Sequence, residues 1–98
     1  MKLWIDDLRP IPETFDIWAK NYDQAIMALK SSPITHISFD HDLGDDEKGT
    51  GNDVAKWIEE QAYLGNYPKI KWRVHSDNPA GVKNIIATME SADRYWDI

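Results

Sequence analysis

Asp6-Asp7, Asp40-His41-Asp42 and His75-Ser76 each follow directly on a short run rich in apolar residues: Leu3-Trp4-Ile5, Ile37-Ser38-Phe39 and Trp72-Arg73-Val74. If these runs are neighbouring parallel strands, the acids and imidazoles meet at one sheet edge, beyond the carboxyl ends where open parallel sheets bind ligands. Asp6, Asp7 and Asp40 gathered there would repel one another unless a divalent cation sat among them, and oxygen-only ligands suit Mg²⁺ or Mn²⁺. The plainer alternative is that Asp6 or Asp7 only caps its loop by accepting from backbone N–H groups. Asp42 can complete a metal shell, orient His41, or stay solvated. Because an imidazole ordinarily titrates near neutrality, His41 and His75 could act as acid and base in opening a phosphate ester; each can equally satisfy a local hydrogen bond.

Two further groups suit a phosphate. Arg9 offers a bidentate guanidinium, with a salt bridge to the nearby acids as its alternative. Asn78 precedes Pro79 at a helix start; it can be an N-cap, and the amides behind it can form an anion site. The segment from Gly44 to Gly51 lacks the ligand spacing of an EF-hand and reads as a solvated lid. His36, inside a strand, reads as structural or surface. Trp4, Trp57 and Trp72 read as core, and Tyr95 and Trp96 as closing the last helix onto the sheet.

The elements that must position these groups follow from period and punctuation. Lys2 to Ile5 is a short β-type run, and Arg9-Pro10-Ile11-Pro12 cannot continue as regular helix, so a loop follows. Phe15 to Ala19 alternates as a second, edge strand. Asn21 caps a helix from Tyr22 to about Lys30, which Ser31-Ser32-Pro33 closes. Ile34 to Phe39 is a third strand, and Asn52 starts a helix with Val54, Ala55, Ile58 and Ala62 on one side, ending at Gly65. Ile70 to Val74 is a fourth strand, and Pro79 opens a last helix fading near Asp93. Strands alternating with helices imply right-handed crossovers and a parallel sheet, with residues 1–98 forming a single domain.

Composition narrows the chemistry. The 98 residues contain no cysteine, which removes disulfides, thiolate metal sites and cysteine nucleophiles. A net charge of −6 argues against a broad grip on duplex DNA, because that affinity is largely counterion release by Lys and Arg. No apolar run has the length of a bilayer span, and the start meets acid too soon for a signal peptide, so a cytoplasmic protein without membrane contact is expected.

The motifs together resemble a response-regulator receiver domain: an acidic pair closing the first strand, an acceptor Asp after the third, and a glycine, Gly51, opening the next helix. Gly44 stands where receivers carry a proline. More narrowly, Leu3-Trp4-Ile5-Asp6-Asp7-Leu8-Arg9-Pro10, Phe39-Asp40-His41-Asp42-Leu43-Gly44 and Val74-His75-Ser76-Asp77-Asn78-Pro79 resemble the cyclic-phosphate processing receiver domain family. The resemblance implies a reduced flavodoxin-like, three-layer sandwich with a four-stranded parallel sheet in order 2-1-3-4. It also implies an acidic pocket turned toward cyclic phosphates, at RNA ends or in nucleotides. Asp40 would be a metal ligand, and Ser76 would hydrogen-bond a phosphoryl oxygen, with a nucleophilic role less supported. The receiver's phosphoryl-sensing lysine finds no counterpart, and His41 and His75 stand where receivers usually carry no histidine.

The function expected is metal-dependent opening of a cyclic phosphate on a nucleotide or RNA end. The alternatives are a non-catalytic receiver-like module that binds a protein or phosphorylated partner with Asp40 as its switch, and a nucleotide sensor without turnover.

Overall fold

Strand formation here follows β-branched and aromatic residues, and each helix begins at a side chain able to accept from its first turn. A computed structural model describes residues 1–44 and 48–98. In chain order these form β1 (Lys2–Ile5), β2 (Ile17–Ala19), α1 (Tyr22–Ser31), β3 (His36–Phe39), α2 (Gly51–Leu64), β4 (Lys71–Val74) and α3 (Pro79–Trp96). Asn21 accepts from Gln24 N to cap α1, and Asn78 accepts from Gly81 N to cap α3. Thr50 and Asp53 close a reciprocal capping box on α2, and Gly65 ends it with φ 73°.

All pairings are parallel and the sheet order is β2-β1-β3-β4. Because side chains alternate along a strand, register fixes two faces. Leu3 pairs with Ile17 and Ile37, and Ile5 with Ala19 and Phe39. Those residues share one core with Ala25, Ile26 and Leu29 of α1, Val54, Ala55 and Ile58 of α2, and Ile85 and Met89 of α3. The helices therefore cover one face. Each Leu, Ile or Phe fully buried there contributes about 1.5–3 kcal/mol, which makes this face the main source of stability.

The opposite face carries Lys2, Trp4, Trp18, His36, Ser38, Lys71 and Arg73, as their shared registers require. The third layer of the expected sandwich is reduced to the segment between β1 and β2. Pro10 and Pro12 keep that segment from being helical, and a right-handed crossover leading from β1 outward to β2 must pass on this side. Its Phe15 packs edge-on against Trp4, with ring centroids 5.2 Å apart.

The boundaries differ from the sequence reading in several places: β3 begins at His36 rather than Ile34, β4 at Lys71 rather than Ile70, and α2 at Gly51 rather than Asn52. Phe15 and Asp16 fall outside β2, since Phe15 N turns back to Pro12 O. Helix α3 runs on to Trp96, whose indole donates to Tyr67 O at 2.8 Å and packs against the core. Tyr95 instead stays exposed, edge-on to Tyr63. Of the expected lid, Asp45, Asp46 and Glu47 lie outside the described residues.

Candidate functional site

The backbone ladder continues one residue past β1, β3 and β4. Asp6 N donates to Ala19 O, Asp40 N to Ile5 O and His75 N to Phe39 O. These bonds set Asp6, Asp40 and His75 side by side at the carboxyl edge, and the three strand ends do converge.

Asp6 is almost wholly enclosed, at 1% exposure. Its Oδ1 accepts from the N–H groups of Leu8 and Arg9, both at 2.8 Å, while Oδ2 accepts from His75 Nε2 at 3.0 Å and Arg9 at 3.4 Å. Burial works to raise its pKa, but the two backbone donors and His75 more than offset this and hold it below the ordinary value. Asp6 is thus an ionised anchor for its own loop as well as a member of the acidic cluster. The loop-capping reading of that residue is observed directly.

His75 lies flat on Trp4, with ring centroids 3.9 Å apart and planes 3° from parallel. Its Nδ1 is 2.7 Å from Ser38 Oγ, and Arg73 Nε donates to that same oxygen at 3.2 Å. An ionised Asp6 only accepts, so Nε2 carries the proton; in the neutral ring Nδ1 is then an acceptor, so the Ser38 hydroxyl donates to it while Arg73 Nε donates to the Ser38 oxygen. Arg73, Ser38, His75 and Asp6 form one directed chain. Burial pushes the His75 imidazole below its ordinary value, against the pull of the Asp6 and Asp40 charges.

The pH consequence follows. Below about pH 6.5 the unfolded chain protonates this histidine while the folded chain resists, so stability is complete above that value and is lost as pH falls through the window. Melting temperature measured in EDTA should drop between about pH 7.5 and 5.5, and His75→Gln should flatten part of that drop. Identical slopes for the two proteins would show that the folded ring titrates normally.

Asp6, Asp7 and Asp40 each present one oxygen within 4.8 Å of the other two. Burial raises the Asp40 carboxyl and the Asp6 charge adds to this, partly offset by the Ser76 hydroxyl, the His41 N–H and the His75 ring. An oxygen-only trio in which one acid resists ionisation fits a hard divalent cation such as Mg²⁺ or Mn²⁺. Gly44, at φ 78°, lets the chain pass this close: a Cβ there would sit 3.1 Å from Asp7 Oδ2.

The cavity above the trio, about 390 Å³, is lined by Asp6, Asp7, Arg9, Asp40, Asp42 and Ser76 among others. Asp42 orients His41, with Oδ1 3.0 Å from Nδ1, and receives Asn78 Nδ2 at 3.4 Å. The His41 hydrogen bond, with help from Asn78, holds the Asp42 carboxyl below its ordinary value. The His41 ring packs on Gly81, where a Cβ would come within 2.3 Å of its Cγ. Ser76 Oγ accepts from Asn78 N. Arg9 is a strap, donating to His75 O at 3.0 Å and pairing with Asp6 and Asp77. Neither histidine lines the cavity.

Sequence reasoning passed over Trp4 as ordinary core and missed Ser38 and Arg73. A signal was present: each lies two residues before Asp6, Asp40 or His75, so strand alternation puts it on the same face as the group it supports. It also missed Thr50 and Asp53, whose capping box fixes the start of α2 beside Asp40.

A parallel sheet in this order, with an acidic pair after its first strand and a further Asp after its third, defines a receiver-type α/β domain. The family model for the cyclic-phosphate processing receiver domain matches residues 1–91, and the chain belongs to that family. No curated protein and no solved structure matches it. No helix among the described residues is long and apolar enough to cross a membrane.

Proposed function

We propose that this chain is a divalent-cation-dependent phosphoesterase that opens cyclic phosphates, at an RNA 2′,3′-cyclic end or in a cyclic nucleotide. The observation that carries the reading is the trio of carboxylate oxygens within 4.8 Å of one another beneath an open cavity. Mg²⁺ or Mn²⁺ held by Asp6, Asp7 and Asp40 would supply charge neutralisation to the phosphate oxygens. Ser76 offers a hydroxyl at the cavity wall, and Arg9 keeps the β1 loop docked on the β4 end. In ring opening, water adds to phosphorus, one ribose P–O bond breaks, and the ribose oxygen gains a proton. Asp42 and His41 are the pair suited to moving that proton, one lining the cavity and the other hydrogen-bonded to it. His75, with both nitrogens engaged, holds Asp6 in place.

Incubating the protein with cyclic mononucleotides and with RNA ending in a cyclic phosphate should give ring-opened product with Mg²⁺ or Mn²⁺ and none with EDTA. Product formation indifferent to cation would overturn the reading. A second reading draws on the engagement of both His75 nitrogens and of Arg9: a non-catalytic receiver-like module that binds a protein partner and switches at Asp40. Stable acyl phosphate on Asp40 after acetyl phosphate treatment, without turnover of any cyclic phosphate, would select it.

A further inference from the structure

The sheet face away from the helices holds a cavity of about 240 Å³ between the Thr14–Phe15 segment and β3–β4. Lys2, Lys71 and Arg73 line it together with His36 and Phe15, and among the described residues no carboxylate does. In a chain of net charge −6, such a concentration of cationic groups is a local reversal of sign. Among the described residues, Lys2, Lys71 and Arg73 lie within salt-bridge distance of no acid. Asp16 accepts from the Lys2 backbone N–H and does not line the cavity. Arg73 uses Nε on Ser38, and its guanidinium lies 5.5 Å from the Phe15 ring centroid, so a flat apolar surface sits beside the charges.

We propose that this face binds single-stranded RNA, the nucleotides preceding the cyclic end engaging Lys2, Lys71 and Arg73 with a base against Phe15. The inference rests on the cyclic-phosphate reading for the nature of the strand. Interleaved cations and an aromatic ring are what a sequence-tolerant single-strand site needs, and a patch this narrow does not suit a duplex. Direction agrees as well. Following β4 from Lys71 to His75 covers about 13 Å at the rise of a strand, and the next residue, Ser76, lines the acidic cavity. A strand lying along that path would bring its terminus to the carboxylates.

The test uses the full chain and a fluorescein-labelled short oligouridine with an ordinary 3′-hydroxyl, in EDTA, followed by anisotropy. Neither a cation nor a cyclic phosphate is then involved. Binding should weaken with salt at a log–log slope of about −2, as three cations at roughly 0.7 each require. Lys2→Gln/Lys71→Gln should bind about tenfold more weakly while opening a cyclic mononucleotide at the rate of the unsubstituted chain. Absent binding, equal binding by the double variant, equally tight binding of an acidic peptide of matched charge, or a shift of the double variant's oligomeric state in its place would each overturn the proposal. Oligouridine binding without turnover of any cyclic phosphate would sink the catalytic reading and leave the RNA-binding face standing; turnover without binding would do the reverse.

Discussion

Asp40→Asn is expected to reduce cation-dependent ring opening by about a thousandfold and, in EDTA at neutral pH, to raise the melting temperature. The first effect follows from a cation's role in phosphoryl chemistry, worth several kcal/mol of charge stabilisation, at 1.36 kcal/mol per tenfold in rate. The second follows from the electrostatics of the trio. Burial pushes the Asp40 pKa up and Asp6 adds to it, so in a window above the ordinary value of 3.8 the folded chain holds a proton that the unfolded chain has released. Stability attributable to this group is therefore full at low pH and is lost as pH rises through that window, leaving an ionised Asp40 as a burden at neutrality. Asparagine removes the charge and keeps the shape. In this reading Mg²⁺ or Mn²⁺ raises the melting temperature of the unsubstituted chain and leaves Asp40→Asn nearly unmoved, because only a folded site that binds the ion is stabilised by it. Loss of activity combined with a lower melting temperature in EDTA would show Asp40 to be a structural hydrogen-bond acceptor.

The parts of this molecule that were legible in the sequence are those set by local rules. Asn21 as a cap, Gly65 as a left-handed terminus and Pro79 at a helix start each depend on a few neighbouring residues, and each stands where expected. The convergence of Asp6, Asp40 and His75 was legible because parallel strands ending in polar residues must place them at one edge. What escaped depends on partners far along the chain. Arg9 meets Asp77 across 68 positions, and α3 continues past Asp93 because Trp96 finds Tyr67 O. Ser38 reads as a weak strand residue in isolation. Only the pairing of β3 with β4 reveals it as the link between Arg73 and His75.

That link bears on how the site is held. Asp6 has its loop on one side and His75 on the other, and His75 is itself fixed by Trp4 beneath the ring and Ser38 at Nδ1. Supporting shells of this kind typically contribute 10- to 100-fold to metal affinity or activity without touching the ligand. The helix-free face of the sheet thus supports the carboxyl edge as much as it presents a surface.

Gly51→Ala should disable the site without altering any side chain in it. Glycine to alanine inside a helix ordinarily stabilises by about 1 kcal/mol. Here a Cβ would stand 1.9 Å from the Asp40 carbonyl oxygen, 2.9 Å from its carbon and 3.1 Å from His41 Cα. All three are backbone atoms of the segment that presents Asp40 and His41, so no side-chain rotation relieves the contact. Either α2 moves off the sheet, losing the packing of Val54, Ala55 and Ile58, or the Asp40–His41 backbone shifts and the Gly51 N to His41 O bond at 2.8 Å breaks. The substitution should destabilise by about 1–3 kcal/mol, the usual range for overpacking, which for a domain of this size is roughly 4–24 °C in melting temperature. Ring opening should fall about a hundredfold or more even at temperatures where the chain remains folded, since a shift of about 1 Å in a reacting group suffices for that. Lys56→Ala, on the exposed side of the same helix, should leave both properties near their starting values. A Gly51→Ala protein with full activity would mean that α2 relaxes freely and that the close approach to Asp40 does not position the carboxylate.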